Sequence, residues 1–224
     1  MAEVHGFPGE WARVRGTVTG MWLMFCMVGC LGFGMGLVYC GALGLGAVIA
    51  AVSIIGAAAS ASFGMRRMER FYKGARGEEK VAGILKGLPS SYHVFNDFYT
   101  RRNHYVDHVV VGPAGVFAIE TKFWQGEVTI EDGHVLINGV SPSRDPLAQV
   151  FREADEVRAV LSARGWNGNV TPVLTFASDT FTAQVAEIGG TVIINSAKLE
   201  AGFASGRERL SYKEIARLVT LMEN

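Results

Sequence analysis

Hydropathy divides the chain into an apolar front and a patterned back. Residues 16–65 carry no charged side chain, whereas one membrane-spanning helix needs only about 20 apolar residues. The run therefore predicts two spans, 18–39 and 42–63, joined by a turn at Gly41. Trp22 and Tyr39 fall near the ends of the first, where interfacial aromatics sit. The second is rich in Ala, Gly and Ser, small residues that let helices approach closely in lipid. A secretory signal would have a shorter apolar core and a cleavage site.

Beyond Lys73 the periods become those of an α/β domain. Glu78, Val81, Ala82 and Leu85 share one face of a helix starting after Gly77, with Glu79 on the solvated side. Residues 92–99 alternate as a strand. In 107–122, DHVVVGPAGVFAIETK, two β-branched runs flank Gly112-Pro113-Ala114-Gly115 and predict a β-hairpin. Asp132-Gly133 marks a second hairpin between 127–131 and 134–137. Asp145 is the expected N-cap and Pro146 the first residue of a helix running to Arg164 and stopped by Gly165. Its core stripe is Leu147, Val150, Ala154, Val157 and Leu161, with Gln149 beside it. Runs 170–176 and 191–194 have strand length, and Ser211 with Glu214 forms a capping box before the last helix. Phe123 and Trp124 read as packing aromatics.

This patterning divides the chain into an exposed tail (1–17), a transmembrane hairpin (18–63), a basic juxtamembrane linker (64–73) and a soluble domain (74–224). Arg13 and Arg15 precede the spans and Arg66, Arg67, Arg70 and Lys73 follow them, so both ends are expected in the cytoplasm. The 21 basic and 21 acidic residues balance overall, but residues 74–224 hold 15 against 18. That surplus of acid excludes a nucleic-acid binder working by bulk charge; Arg101 and Arg102 are the local basic pair. Cys26, Cys30 and Cys40 all lie in the apolar run, which leaves the soluble domain without a disulfide framework.

Candidate chemistry concentrates in the first hairpin. Pairing Val111 with Val116 and Val109 with Ala118 places Asp107 opposite Glu120, and strand alternation puts Lys122 on the same face. Two carboxylates beside valines are costly to bury unless a cation lies between them, which is the pattern of a metal site. Glu78, an acid on an apolar helix face, is a further candidate. His104 and His108 bracket Asp107; both are expected in supporting or surface roles rather than as ligands.

With these residues in place, 74–179 resembles the nuclease-related domain (NERD) family within the PD-(D/E)XK nuclease superfamily. The resemblance rests on Gly74-Ala75-Arg76-Gly77-Glu78, on Asp107 with the Gly112–Gly115 turn and Glu120-Thr121-Lys122, and on Asp145-Pro146-Leu147-Ala148-Gln149. It implies a restriction-endonuclease-like α/β core, a mostly four-stranded mixed sheet flanked by helices, preceded here by the two transmembrane helices. It also implies Mg2+-dependent hydrolysis of DNA phosphodiesters, with Mn2+ as a substitute. Asp107, Glu120 and the Thr121 carbonyl would hold the ion, Lys122 would act on the attacking water and the phosphate, and Glu78 and Gln149 would complete the catalytic set. The alternative is a non-catalytic membrane adaptor that uses the domain to bind DNA or protein partners. Either form is expected at the inner membrane, in contact with the lipid bilayer, as a homo-oligomer or part of a larger membrane complex.

Overall fold

The computed structural model describes residues 1–100, 104–178, 181, 185–204 and 206–223. Arg101, Arg102 and Asp179, the last residue of the resemblance, lie outside these. The chain forms two compact units, one of residues 11–73 and one of residues 1–10 with 74–224.

The first unit is a helical pair. Helix α1 spans Glu10–Tyr39 and α2 spans Leu43–Lys86, and both are long and apolar enough to cross a membrane. Trp22, Phe25, Phe33, Ile54, Ile55 and Phe63 are exposed on them, an apolar surface suited to lipid and not to water. The pair is close because glycine meets glycine: a Cβ at Gly64 would overlap the Gly20 carbonyl. The helix does not end with the apolar run at residue 63 or pause over the basic segment 64–73. Helix α2 passes through both and through Gly77, since no proline interrupts it and a helical glycine costs only about 1 kcal/mol relative to alanine.

The second unit is built on a seven-stranded mixed sheet with the order β1-β2-β3-β4-β7-β9-β8. Its strands are β1 (Glu3–His5), β2 (His93–Thr100), β3 (His104–Gly112), β4 (Gly115–Lys122), β7 (Val170–Phe176), β8 (Ala186–Ile188) and β9 (Thr191–Asn195). Strands β5 (Val128–Glu131) and β6 (His134–Ile137) form a separate hairpin. Asp132 and Gly133 both have positive φ, +49° and +78°, as a type I′ turn requires. The sheet is wider than the four strands expected. One edge comes from the N-terminal tail, which is not simply exposed: β1 lies parallel to β2. The other edge, β8, is three residues long and too short to show a period.

Alternation along β3 and β4 separates two cores. Val109, Val111, Val116 and Ala118 pack with Ala154, Val157 and Leu161 of α3 (Pro146–Ala163) and with Ile215 and Leu218 of α5 (Tyr212–Glu223). Val110 and Ile119 face the other way, onto Val81 and Leu85 of α2. Asp145 caps α3, its Oδ1 accepting the Leu147 N–H at 2.9 Å, and Glu214 accepts the Ser211 N–H at the start of α5. The short helix α4 (Leu199–Ala204), absent from the expected elements, follows β9 through a 3-10 turn.

His108 is fully buried on the α2 side of the sheet, so a surface role is ruled out for it. Its Nδ1 lies 2.8 Å from Asn96 Oδ1, and burial pushes its pKa down to about 3, which keeps the ring neutral. His104 is exposed and lies 3.7 Å from Glu156.

At the β3–β4 turn, Gly112 lies against the ring of Tyr92, whose hydroxyl donates to the Phe203 carbonyl at 3.1 Å; a Cβ at Gly112 would overlap that ring. Gly112→Ala is therefore expected to destabilise this unit by about 1–3 kcal/mol. Thermal unfolding of the full chain in detergent checks this, and an unchanged melting temperature would contradict it.

Candidate metal centre

The hairpin register runs from Gly112↔Gly115 through Val111↔Val116 and Val109↔Ala118 to His108↔Ile119. The ladder stops one step before Asp107 and Glu120. On its far side β4 stays paired with β7, in parallel, from Val116↔Val170 to Lys122↔Phe176. On the near side the Asp107 carboxylate takes over, with Oδ2 accepting the Thr121 N–H at 2.8 Å. A backbone donor that has lost its ladder partner must be satisfied elsewhere, and a side chain at the parting point does so. The acid is thus positioned by the end of the hairpin.

Glu120 and Lys122, two apart on β4, both face α3. Lys122 Nζ lies 2.5 Å from Glu120 Oε1 and 2.9 Å from Gln149 Oε1. Gln149 Nε2 donates to Glu120 Oε1 at 2.8 Å and to Glu153 Oε1 at 2.9 Å. One amide therefore joins three charged side chains from two elements. Glu78, on α2, is buried and close enough to act on Asp107 through its charge. Asp107, Glu120, Lys122, Gln149 and Glu78 thus converge on one region.

Glu153 is the member that the sequence reading omitted. It is 6% exposed, and its Oε2 is buried with no hydrogen-bond partner among the described residues. The signal was available: Glu153 lies three residues after Val150 and four before Val157, an acid on an apolar helix stripe just as Glu78 is.

Electrostatics define what this cluster lacks. Desolvation, and then the charges of Glu120, Glu78 and Glu153, hold Asp107 well above the usual carboxylate range, with the Thr121 N–H opposing weakly. Asp107 keeps part of its surface open to solvent while protein surrounds the rest. Glu153 is raised in the same way, by desolvation first and by Glu120 next. Burial pulls Lys122 down, but Glu120 and the other acids outweigh it and the net direction is up, so it stays an ammonium. Asp107, Glu120 and Glu153 thus crowd around Lys122. The orphaned Glu153 Oε2, the two raised acids and the all-oxygen donor set fit a hard divalent cation such as Mg2+.

Residues 73–177 match the family model described as nuclease-related domain (NERD). The chain carries a nuclease-related domain. No curated protein and no solved structure matches the chain. Glu78, Asp107, Glu120, Lys122, Gln149 and Glu153 all fall inside the matched nuclease-related segment, whereas β1, β9 and α5 lie outside it.

The raised acids set a pH dependence for this domain. A carboxyl whose folded pKa exceeds its unfolded value of about 4 favours the fold while protonated and loses that contribution as pH rises through the folded value. In chelator at pH 8, Asp107→Asn should therefore melt above wild type by about 2–4 °C, an advantage that shrinks toward pH 5. Mg2+ should raise the wild-type melting temperature and leave that of the variant unchanged. A variant that melts lower at pH 8, or no response of wild type to Mg2+, would contradict the metal reading.

Proposed function

We propose that the protein is a membrane-anchored, divalent-metal-dependent nuclease of the PD-(D/E)XK type that hydrolyses DNA. The observation that carries this reading is the convergence of Asp107, Glu120, Lys122, Gln149 and Glu153 at one parting hairpin end within a nuclease-related domain. Asp107 and Glu120, with the Thr121 carbonyl, would hold Mg2+, and Glu78 and Glu153 stand near enough to join them directly or through water. The ion would lower the pKa of a bound water and offset the phosphate charge.

The chain's own residues divide the remaining work. Lys122, held protonated, donates hydrogen bonds to a non-bridging phosphate oxygen as negative charge builds there. That role suits a raised pKa better than general-base work does. Gln149 keeps Glu120 and Lys122 in register and fixes Glu153 by one oxygen, which leaves Oε2 to take a ligand or a proton. Helices α1 and α2 would anchor the domain at the inner membrane, with the flanking arginines holding it on the cytoplasmic side. Substrate is then DNA that reaches the membrane surface, and the apolar side chains exposed on the helical pair would meet lipid, a second copy or a larger membrane complex.

The second reading, a non-catalytic adaptor that recruits DNA or protein, draws on two observations. Lys122 already neutralises Glu120 directly, and the soluble part is acidic overall. Cleavage separates the two readings. The full chain is the right material, because β1 of the tail belongs to the same sheet as the site. Purified in detergent, it should cut linear, nicked or single-stranded DNA with Mg2+ or Mn2+. Asp107→Ala and Lys122→Ala should each lose at least ~100-fold in rate with unchanged far-UV dichroism. No cutting of any of these substrates, or cutting indifferent to both variants, would favour the adaptor.

A further inference from the structure

Far along the sheet from the acid cluster, the first strand brings two histidines and an acid together. Glu3 and His5, two apart on β1, share a face, and the parallel register sets Glu3 beside His93 and His5 beside Phe95. One donor atom from each of Glu3, His5 and His93 lies within 4.8 Å of the others. His93 Nδ1 is 3.5 Å from Glu3 Oε2, and His5 Nδ1 is 3.3 Å from Glu223 Oε1 at the end of α5. The His5 ring stacks on Phe95 with centroids 4.4 Å apart and planes 10° from parallel, which fixes its orientation.

Two features point to a ligand here. Among the described residues, His5 Nε2 is buried with no hydrogen-bond partner, and His93 Nδ1 is buried with Glu3 Oε2 at 3.5 Å but outside hydrogen-bond geometry, a costly state for imidazole nitrogens unless a ligand takes their lone pairs. With Glu223 Oε1 3.3 Å from Nδ1, His5 has an acceptor behind one ring nitrogen and directs the other, Nε2, into the cluster, the arrangement that orients a metal-bound histidine. Donors about 2.0–2.1 Å from a tetrahedral ion stand roughly 3.3 Å apart, close to the 3.5 Å between His93 and Glu3.

We infer that His5 Nε2, His93 Nδ1 and the Glu3 carboxylate form a second metal site, of zinc type, that fastens the N-terminal strand to the sheet edge. Two imidazoles and one carboxylate select a borderline transition-metal ion over Mg2+, whose preference is for oxygen. The fastening has a clear use. Strand β1 is three residues long and has a single neighbour, so few backbone hydrogen bonds hold it. An ion shared between β1 and β2, with Glu223 behind it, ties both ends of the chain to the same edge.

The test uses the full chain in detergent, without a polyhistidine tag and with Cys26, Cys30 and Cys40 alkylated. After chelator treatment it is dialysed against Zn2+ in excess Mg2+, and bound zinc is measured by mass spectrometry. One zinc per chain is expected. His5→Ala and His93→Ala should each weaken binding at least ~100-fold, and Glu223→Gln should weaken it about 10-fold with unchanged stoichiometry. Asp107→Asn should bind zinc as wild type does. Glu3→Gln, a substitution at an exposed side chain, gives the same ligand test if either histidine variant melts early. No bound zinc, or zinc lost with Asp107→Asn and kept with His5→Ala and His93→Ala, would overturn the site.

Discussion

Like charges crowded at the end of a hairpin are the constraint on which the sheet-bearing unit turns. Strands β3 and β4 part after His108 and Ile119, and the carboxylate of Asp107 replaces the next rung by accepting the Thr121 N–H. Everything that packs on that face must then accommodate buried acid. Helix α3 does so with Gln149, which bridges Glu120, Lys122 and Glu153, and with a valine and alanine stripe that begins immediately beyond them. Buried carboxyls gain nothing from burial itself. Their oxygens are the donor type that a hard divalent cation prefers.

The remaining architecture supports this end of the hairpin. The Asp145 cap and Pro146 start α3 at the point that brings Gln149, one turn later, level with Glu120. The parallel partner β7 holds β4 straight to Lys122 after β3 has left it. The last turns of α2, whose Val81 and Leu85 pack on the opposite face, also carry the buried Glu78 whose charge acts on Asp107. Because α2 continues without a break from the apolar segment, the element that carries Glu78 is also the one that would cross a bilayer.

Much of this was legible from local pattern. Strand alternation and a four-residue turn set the register to the last ladder pair, and the cap and stop signals around α3 placed its ends to within a residue. Strong turn chemistry also marked the Asp132-Gly133 hairpin. What escaped has physical reasons. Strands β1 and β8 are three residues each and depend on a neighbouring strand for their conformation, so they carry no period of their own. The merger of linker and first soluble helix into α2 was hidden by glycines, which weaken a helix without ending it. Glu153 is masked by Val150, Ala154 and Val157, an apolar stripe dense enough to define the helix face despite the acid within it, whereas Glu78 stands at the start of its stripe.

The most direct test of the account is to locate a bound ion. Crystals of the full chain soaked in Mn2+ should show anomalous density between Asp107 and Glu120, with Lys122 drawn away from the Glu120 oxygen it now occupies. An intact Lys122–Glu120 ion pair with no ion beside it would contradict the account.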